Sequence, residues 1–261
     1  MNKKEVYQLR VDNKIIIVTG GYGHLGKAIV ESLIHHGAFV IVAGKNIEKY
    51  NNEFSTHEKV FFIELDISST TSISNAYTKI IEQYGKIDVL INNAMYLKGQ
   101  SPEEMTDEDW SYGVDGVLNS VFRCIRELIP HFKKQRYGKI INVSSMYGIV
   151  SPDFEIYNES SGFLNPPHYG AAKAGVLQLT RYYASYLGKY NIQVNSVTPG
   201  PFPSDIVQKD INFINRLKSK TLLQRIGQPS DLAGAFVFLS SEAANFITGQ
   251  NIIVDGGWTV K

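Results

Sequence analysis

The chain has 261 residues, 43% of them hydrophobic, enough to bury a sizeable core in one large α/β domain without metals or cross-links. Its 26 Lys and Arg against 25 Asp and Glu leave no basic surplus, so a small molecule is the expected partner rather than nucleic acid or an anionic membrane. Cys124 is the sole cysteine, which excludes an intrachain disulfide and any metal site built on a cysteine cluster; its apolar helical setting reads as a buried filler. Residues 1–14 carry no long apolar run behind their charges, and no segment reaches bilayer-spanning length, so a cytoplasmic protein is expected.

Short apolar runs alternate with helical periodicity along the whole chain. A strand over 14–19 precedes a helix near 24–36, followed by strands at 38–43 and 59–65 and a helix around 70–84. A strand at 87–93, a long helix near 107–135, a strand at 139–145, a helix near 169–188 and strands at 192–199 and 251–255 complete the series. Strands this apolar are covered on both faces, and helical crossovers between them are right-handed. The expected architecture is therefore a doubly wound, parallel, seven-stranded Rossmann-like sheet in three α/β/α layers, forming a single domain over 1–261. Two stretches, 148–168 and 200–220, read as long loops of the kind that serve as lids or binding segments.

The first strand runs into Thr19-Gly20-Gly21-Tyr22-Gly23-His24-Leu25-Gly26 and then a helix. Glycines let backbone approach a pyrophosphate, and the amides of the helix start stabilise its charge, so this turn is a candidate dinucleotide cradle. An NAD-selective site places a carboxylate about 20 residues further on. That place reads Ala43-Gly44-Lys45-Asn46, so Lys45 is either a counter-charge for a 2′-phosphate, which favours NADP(H) over NAD(H), or a solvated surface lysine. Asp66, followed by Ile67, falls where an adenine contact is expected, or else it caps the next helix.

Tyr169 and Lys173 share one helix face at i,i+4 spacing. A phenol is a poor acid at neutral pH, and a neighbouring cation favours its phenolate. Together with Asn92-Asn93-Ala94, Ile141-Asn142-Val143-Ser144-Ser145, Asn195-Ser196-Val197-Thr198-Pro199-Gly200 and the tail at 247–257, these pieces make the sequence resemble the short-chain dehydrogenase/reductase family over almost its whole length. The resemblance implies an NAD(P)(H)-dependent oxidoreductase that interconverts a carbonyl and a secondary alcohol. It implies that Tyr169 moves the proton, that Lys173 lowers the phenol's pKa and binds the nicotinamide ribose, and that Ser145 hydrogen-bonds the substrate oxygen. Asn92 to Ala94 would touch the adenosine half, and Pro199, Gly200 and Phe202 the nicotinamide amide. It also implies a homo-oligomer, tetramer or dimer.

The chain departs from the family pattern at several points. His24 replaces the usual middle glycine, Met95 ends the Asn-Asn-Ala turn, and Val117 stands where the family carries a polar asparagine in the long helix. These departures keep open a second reading, a dinucleotide-binding sensor or assembly subunit with weakened catalysis. Ser145 and Tyr169 are also unusually far apart, so the segment 151–168 is an insertion beside the substrate site. Its Phe154, Tyr157, Asn158, Glu159, Phe163 and His168 suit a sugar-like ligand, although an oligomer contact is the alternative. The loop resembles that of a bacterial subgroup linked to flagellin glycosylation and nonulosonic acid synthesis.

Overall fold

The computed structural model describes residues 9–158 and 164–260. Seven parallel strands lie in the order β3-β2-β1-β4-β5-β6-β7. They are β1 (Ile15–Thr19), β2 (Phe39–Gly44), β3 (Val60–Glu64), β4 (Val89–Asn92), β5 (Gly138–Val143), β6 (Ile192–Pro199) and β7 (Asn251–Val254). The order reverses between β1 and β4, and a crevice at that switch point is where an open α/β sheet binds its ligand.

Alternation along each strand divides the core into two layers. Ile15, Ile17, Leu90 and Ile140 face α3 (Thr70–Tyr84), α5 (Ser120–Gln135) and α6 (Pro167–Leu187). Ile16, Val18, Val89 and Ile141 face α1 (His24–His35), α2 (Ile47–Phe54) and α8 (Pro229–Ser240). Each such side chain, fully buried, contributes roughly 1.5–3 kcal/mol relative to exposure. Cys124 is buried in the first layer, where burial pushes its thiol up to about 12 and makes it the expected filler. No helix of the described residues is long and apolar enough to cross a membrane.

Two expectations need correction. The stretch 200–220 is only partly loop, because Ile211–Lys220 forms helix α7, burying Phe213, Ile214 and Leu217 at helical spacing behind an Asp210 N-cap. The long helix near 107–135 is interrupted: α4 (Asp107–Val114) passes through a π-helical turn over Asp115–Asn119 before α5 begins. That turn lies where other backbone crowds in. A Cβ on Gly116 would stand 2.0 Å from the Tyr96 carbonyl oxygen, and one on Gly113 would stand 2.5 Å from the His168 ring. Widening by one residue lets the helix keep its bonds while yielding to those contacts.

Candidate active site

The crevice is built from strand ends. Thr19 Oγ1 closes β1 against β4, donating to the Ile91 carbonyl at 3.3 Å and accepting from the Asn93 and Ala94 amides at 3.0 Å each. Gly20 then turns with φ +64°, a left-handed conformation that favours glycine. Gly26 is needed for a different reason: a Cβ there would lie 2.3 Å from the Gly20 oxygen. The first turn of α1 therefore packs directly on the glycine-rich turn, and its N-cap Gly23 offers no side chain to claim the helix amides. The result is a groove of about 540 Å³ walled by this turn, the ends of β2 to β6 and the start of α6.

Most of the cofactor residues expected from the sequence meet there: Gly20, Gly23, His24, Leu25, Gly26, Lys45, Ile67, Ala94, Pro199, Gly200 and Phe202 line the groove. Three do not. Gly21 lies beneath the turn, packed on Val30 and Val42. Asn92 is buried, with Nδ2 donating to Asn142 Oδ1 at 2.8 Å, because the pleat of β4 turns it under α6; its neighbour Asn93 takes the groove position and braces the turn through Thr19 and Gly20 carbonyls. Asp66 accepts from Ser68 and pairs with Lys45 at 3.4 Å rather than opening on the groove. Met95, which is exposed, and Tyr96 add further wall to the groove.

The catalytic candidates converge at the other end of the groove, where Ser145, Tyr169 and Lys173 line one wall. Ser145 follows β5; its Oγ accepts from the Tyr147 amide at 3.2 Å, and its side chain favours the Tyr169 phenolate. Lys173 is 3% exposed; its Nζ donates to the Val143 carbonyl at 2.7 Å and lies 5.7 Å from the centre of the Tyr169 ring. Ser144 acts as a strand-end support, donating to the Lys173 carbonyl at 3.0 Å. The electrostatic balance differs from the expectation. Burial raises Tyr169 above the ordinary phenol value, the neighbouring Ser145 side chain pulls it partly back, and burial brings Lys173 itself down to about 8. Desolvation penalises both charged forms, so in the free chain the cation does not make the phenol acidic; it is the lysine that titrates nearer neutrality.

The inserted segment is seated on α7. Ile156 is buried with Phe213, Ile214, Leu217 and Trp258, the Tyr157 and Phe213 rings lie 5.6 Å apart, Arg216 Nε donates to the Ile156 carbonyl at 2.8 Å, and Asp153 pairs with Lys220 at 2.6 Å. The Tyr157 and Tyr147 hydroxyls are 2.9 Å apart. Phe154 and Asn158 are exposed, while Glu159 and Phe163 fall outside the described residues. His168 is not a ligand-facing residue of this loop. It is fully buried in the first turn of α6, its Nε2 hydrogen-bonded to the Lys98 carbonyl at 3.0 Å and its ring against Gly113. Val117 is buried and offers no polar contact, and Asn119 donates to Asp115 instead of taking over the family asparagine's place.

A family model described as Enoyl-(Acyl carrier protein) reductase matches residues 23–259. The chain belongs to the short-chain dehydrogenase/reductase family. It is similar to 3-oxoacyl-[acyl-carrier-protein] reductase of Thermotoga maritima, 31% identical over 257 residues, which span 97% of this chain and 100% of the relative. It is also similar to Post-translational flagellin modification protein A of Campylobacter coli, 31% identical over 259 residues, 95% of this chain and 99% of that one. A solved short chain dehydrogenase from Leptospira borgpetersenii with bound NAD+ superimposes with a TM-score of 0.88 at 30% identity, covering 99% of this chain and 98% of the other. This family member is thus an enzyme, an oxidoreductase that uses a nicotinamide dinucleotide. The glycine-rich turn fits that cofactor, since Gly20, Gly23 and Gly26 line the groove and the N-cap Gly23 leaves the first amides of α1 without a side-chain partner, free for a pyrophosphate.

Proposed function

We propose that the enzyme interconverts a carbonyl and a secondary alcohol on a sugar-like substrate, with Tyr169 moving the proton, Ser145 holding the substrate oxygen and Lys173 orienting both partners. One observation carries this reading: the end of β5 and the start of α6 bring Ser145, Tyr169 and Lys173 to the same groove, with Lys173 Nζ 5.7 Å from the centre of the Tyr169 ring. A bound nicotinamide supplies the hydride. The chain supplies the rest. Ser145 donates to the substrate oxygen as charge develops on it, and Tyr169 Oη passes or takes the proton across the same short gap. The buried Lys173 ammonium, fixed by the Val143 carbonyl, holds a donor toward the ribose and stabilises a phenolate formed in the reaction.

The sugar-like substrate is supported by the inserted segment, which adds the Tyr157 hydroxyl and the exposed Phe154 and Asn158, and by similarity to a relative whose name refers to flagellin modification. Lys45 is the cation that would meet a 2′-phosphate and so weighs toward NADP(H), with NAD(H) accepted; its pairing with Asp66 tempers that preference. Exposed Phe122, Tyr182 and Tyr186 on α5 and α6 support assembly into a tetramer or dimer, with the cytoplasm as the place of action. A monomer at micromolar concentration in sedimentation would refute that assembly.

The decisive measurement is the change in nicotinamide absorbance with a panel of keto-sugars and 3-oxoacyl thioesters. Turnover of a keto-sugar, cut on the order of 10²–10⁴-fold by Tyr169→Phe with dinucleotide Kd changed less than about threefold, is the expected result. The second reading, a binder with weakened catalysis, is favoured by His24 and Val117; dinucleotide binding with no turnover of any carbonyl would establish it in place of the first.

A further inference from the structure

The end of β2 is where an open α/β sheet reads the 2′ position of the adenosine ribose: a carboxylate there takes the free hydroxyl, and a cation takes a 2′-phosphate. In this chain the position carries neither group freely. The two backbone amides that leave the strand, those of Lys45 and Asn46, both donate to Tyr22 Oη, at 3.1 and 3.3 Å. Tyr22 comes from the glycine-rich turn and lines the same groove. Gly44 admits it, because a Cβ at that position would stand 2.4 Å from the phenol oxygen. Asn46 holds the amides in place by capping α2, its side chain accepting from the Lys49 amide at 2.8 Å. The Lys45 ammonium lies 3.4 Å from Asp66.

The donors that a 2′-phosphate would draw on are therefore already engaged by neighbouring groups, two amides by a phenol oxygen and an exposed ammonium by a carboxylate. A dianion placed there would have to displace the phenol and stand close to Asp66. A ribose hydroxyl asks for less. The phenol accepts two bonds and still has its own proton to give, which suits a neutral hydroxyl without rearrangement.

We propose that Tyr22 is a specificity-determining residue for the cofactor, discriminating against a 2′-phosphate by occupying the Lys45 and Asn46 amides, and so limiting the preference that Lys45 alone would give. The inference rests on the dinucleotide lying in this groove as described above. It also assigns Gly44 a purpose that its position on a strand does not explain, namely room for the phenol.

The test is calorimetric binding of NADPH, NADH, 2′,5′-ADP and ADP to the full chain, Tyr22→Phe and Gly44→Ala, with no turnover involved. Tyr22→Phe keeps the ring but frees both amides, and charge-assisted bonds to phosphate then shift the NADPH to NADH affinity ratio toward NADPH by on the order of tenfold. The 2′,5′-ADP to ADP ratio moves with it. Gly44→Ala expels the phenol and shifts both ratios the same way. Ratios unchanged within about twofold in Tyr22→Phe, or moved toward NADH, overturn the proposal whatever Gly44→Ala does. Failure of the unsubstituted chain to bind either dinucleotide is a separate result, one that removes the cofactor reading and this inference with it.

Discussion

Lys173 and Lys139 stand at opposite ends of one strand, and burial brings both down to about 8. Lys173 reaches the carboxyl end of β5, where its ammonium donates to the Val143 carbonyl beside Tyr169 and the groove. Lys139 is the second residue of β5 and 1% exposed; its Nζ has no hydrogen-bond partner among the described residues, and its charged neighbours are Lys14 and Glu242. The same desolvation thus acts on a residue built into a site and on one merely covered by α8. A displaced titration reports burial; what shares the cavity decides whether burial is put to use.

Substitutions at the two lysines break or sharpen that contrast. The largest effect expected is from Lys173→Met, a fall in kcat/KM of about 10³-fold with weakened dinucleotide binding, against less than about twofold for Lys139→Met in steady-state kinetics. Equal losses would mean that burial alone had been mistaken for a difference of role. Ser145→Ala, also at the carboxyl end, lowers kcat by about 10²-fold while leaving dinucleotide affinity in place, which titration of the cofactor would show. At the amino end the effect is on stability: Lys139→Met removes a buried, unpaired ammonium and raises unfolding free energy at neutral pH by up to about 3 kcal/mol in denaturant titrations.

The smallest effect is a pH slope. A lysine whose folded pKa lies near 8 against the ordinary 10.5 binds fewer protons folded than unfolded, so stability rises as pH climbs through that interval and is lost as pH falls back to about 8. Denaturation midpoints between about pH 7 and 9.5 should rise for the unsubstituted chain and rise less for Lys139→Met, which keeps only the Lys173 share. Cys124, whose thiol burial pushes up to about 12, pulls the slope the other way in both chains. The difference between them therefore isolates Lys139, and equal slopes would mean that its amine is not desolvated.

Most of the sheet was legible because its strands are short apolar runs set between helical periods, and β6 was read to the residue over 192–199. The glycine turn and the Tyr169–Lys173 pair were legible because their chemistry is local, a tight turn and one helical step. What was missed depends on distant partners. Asn92 and Asn93 are adjacent, and only the pleat of β4 against Asn142 decides which of them faces the groove. His168 precedes Tyr169 by one residue, yet the helix turns it onto Gly113, a contact no spacing announces. Tyr22 meets the amides of Lys45 and Asn46 only once β1 and β2 are paired. Helix α7 is the exception: its Phe213, Ile214 and Leu217 carried a readable period that the neighbouring Pro-Gly pair obscured.

The seat of the inserted segment on α7 has a consequence for anyone wishing to retailor this enzyme. Its stabilising partners come from two stretches far apart in the chain, so importing a relative's loop at 151–168 alone would leave Phe213, Leu217 and Trp258 without the aliphatic plug that Ile156 provides. The hybrid would lose the packing against α7 along with the original residues. A successful graft must carry the 205–220 stretch with the loop, because the two were composed as one part.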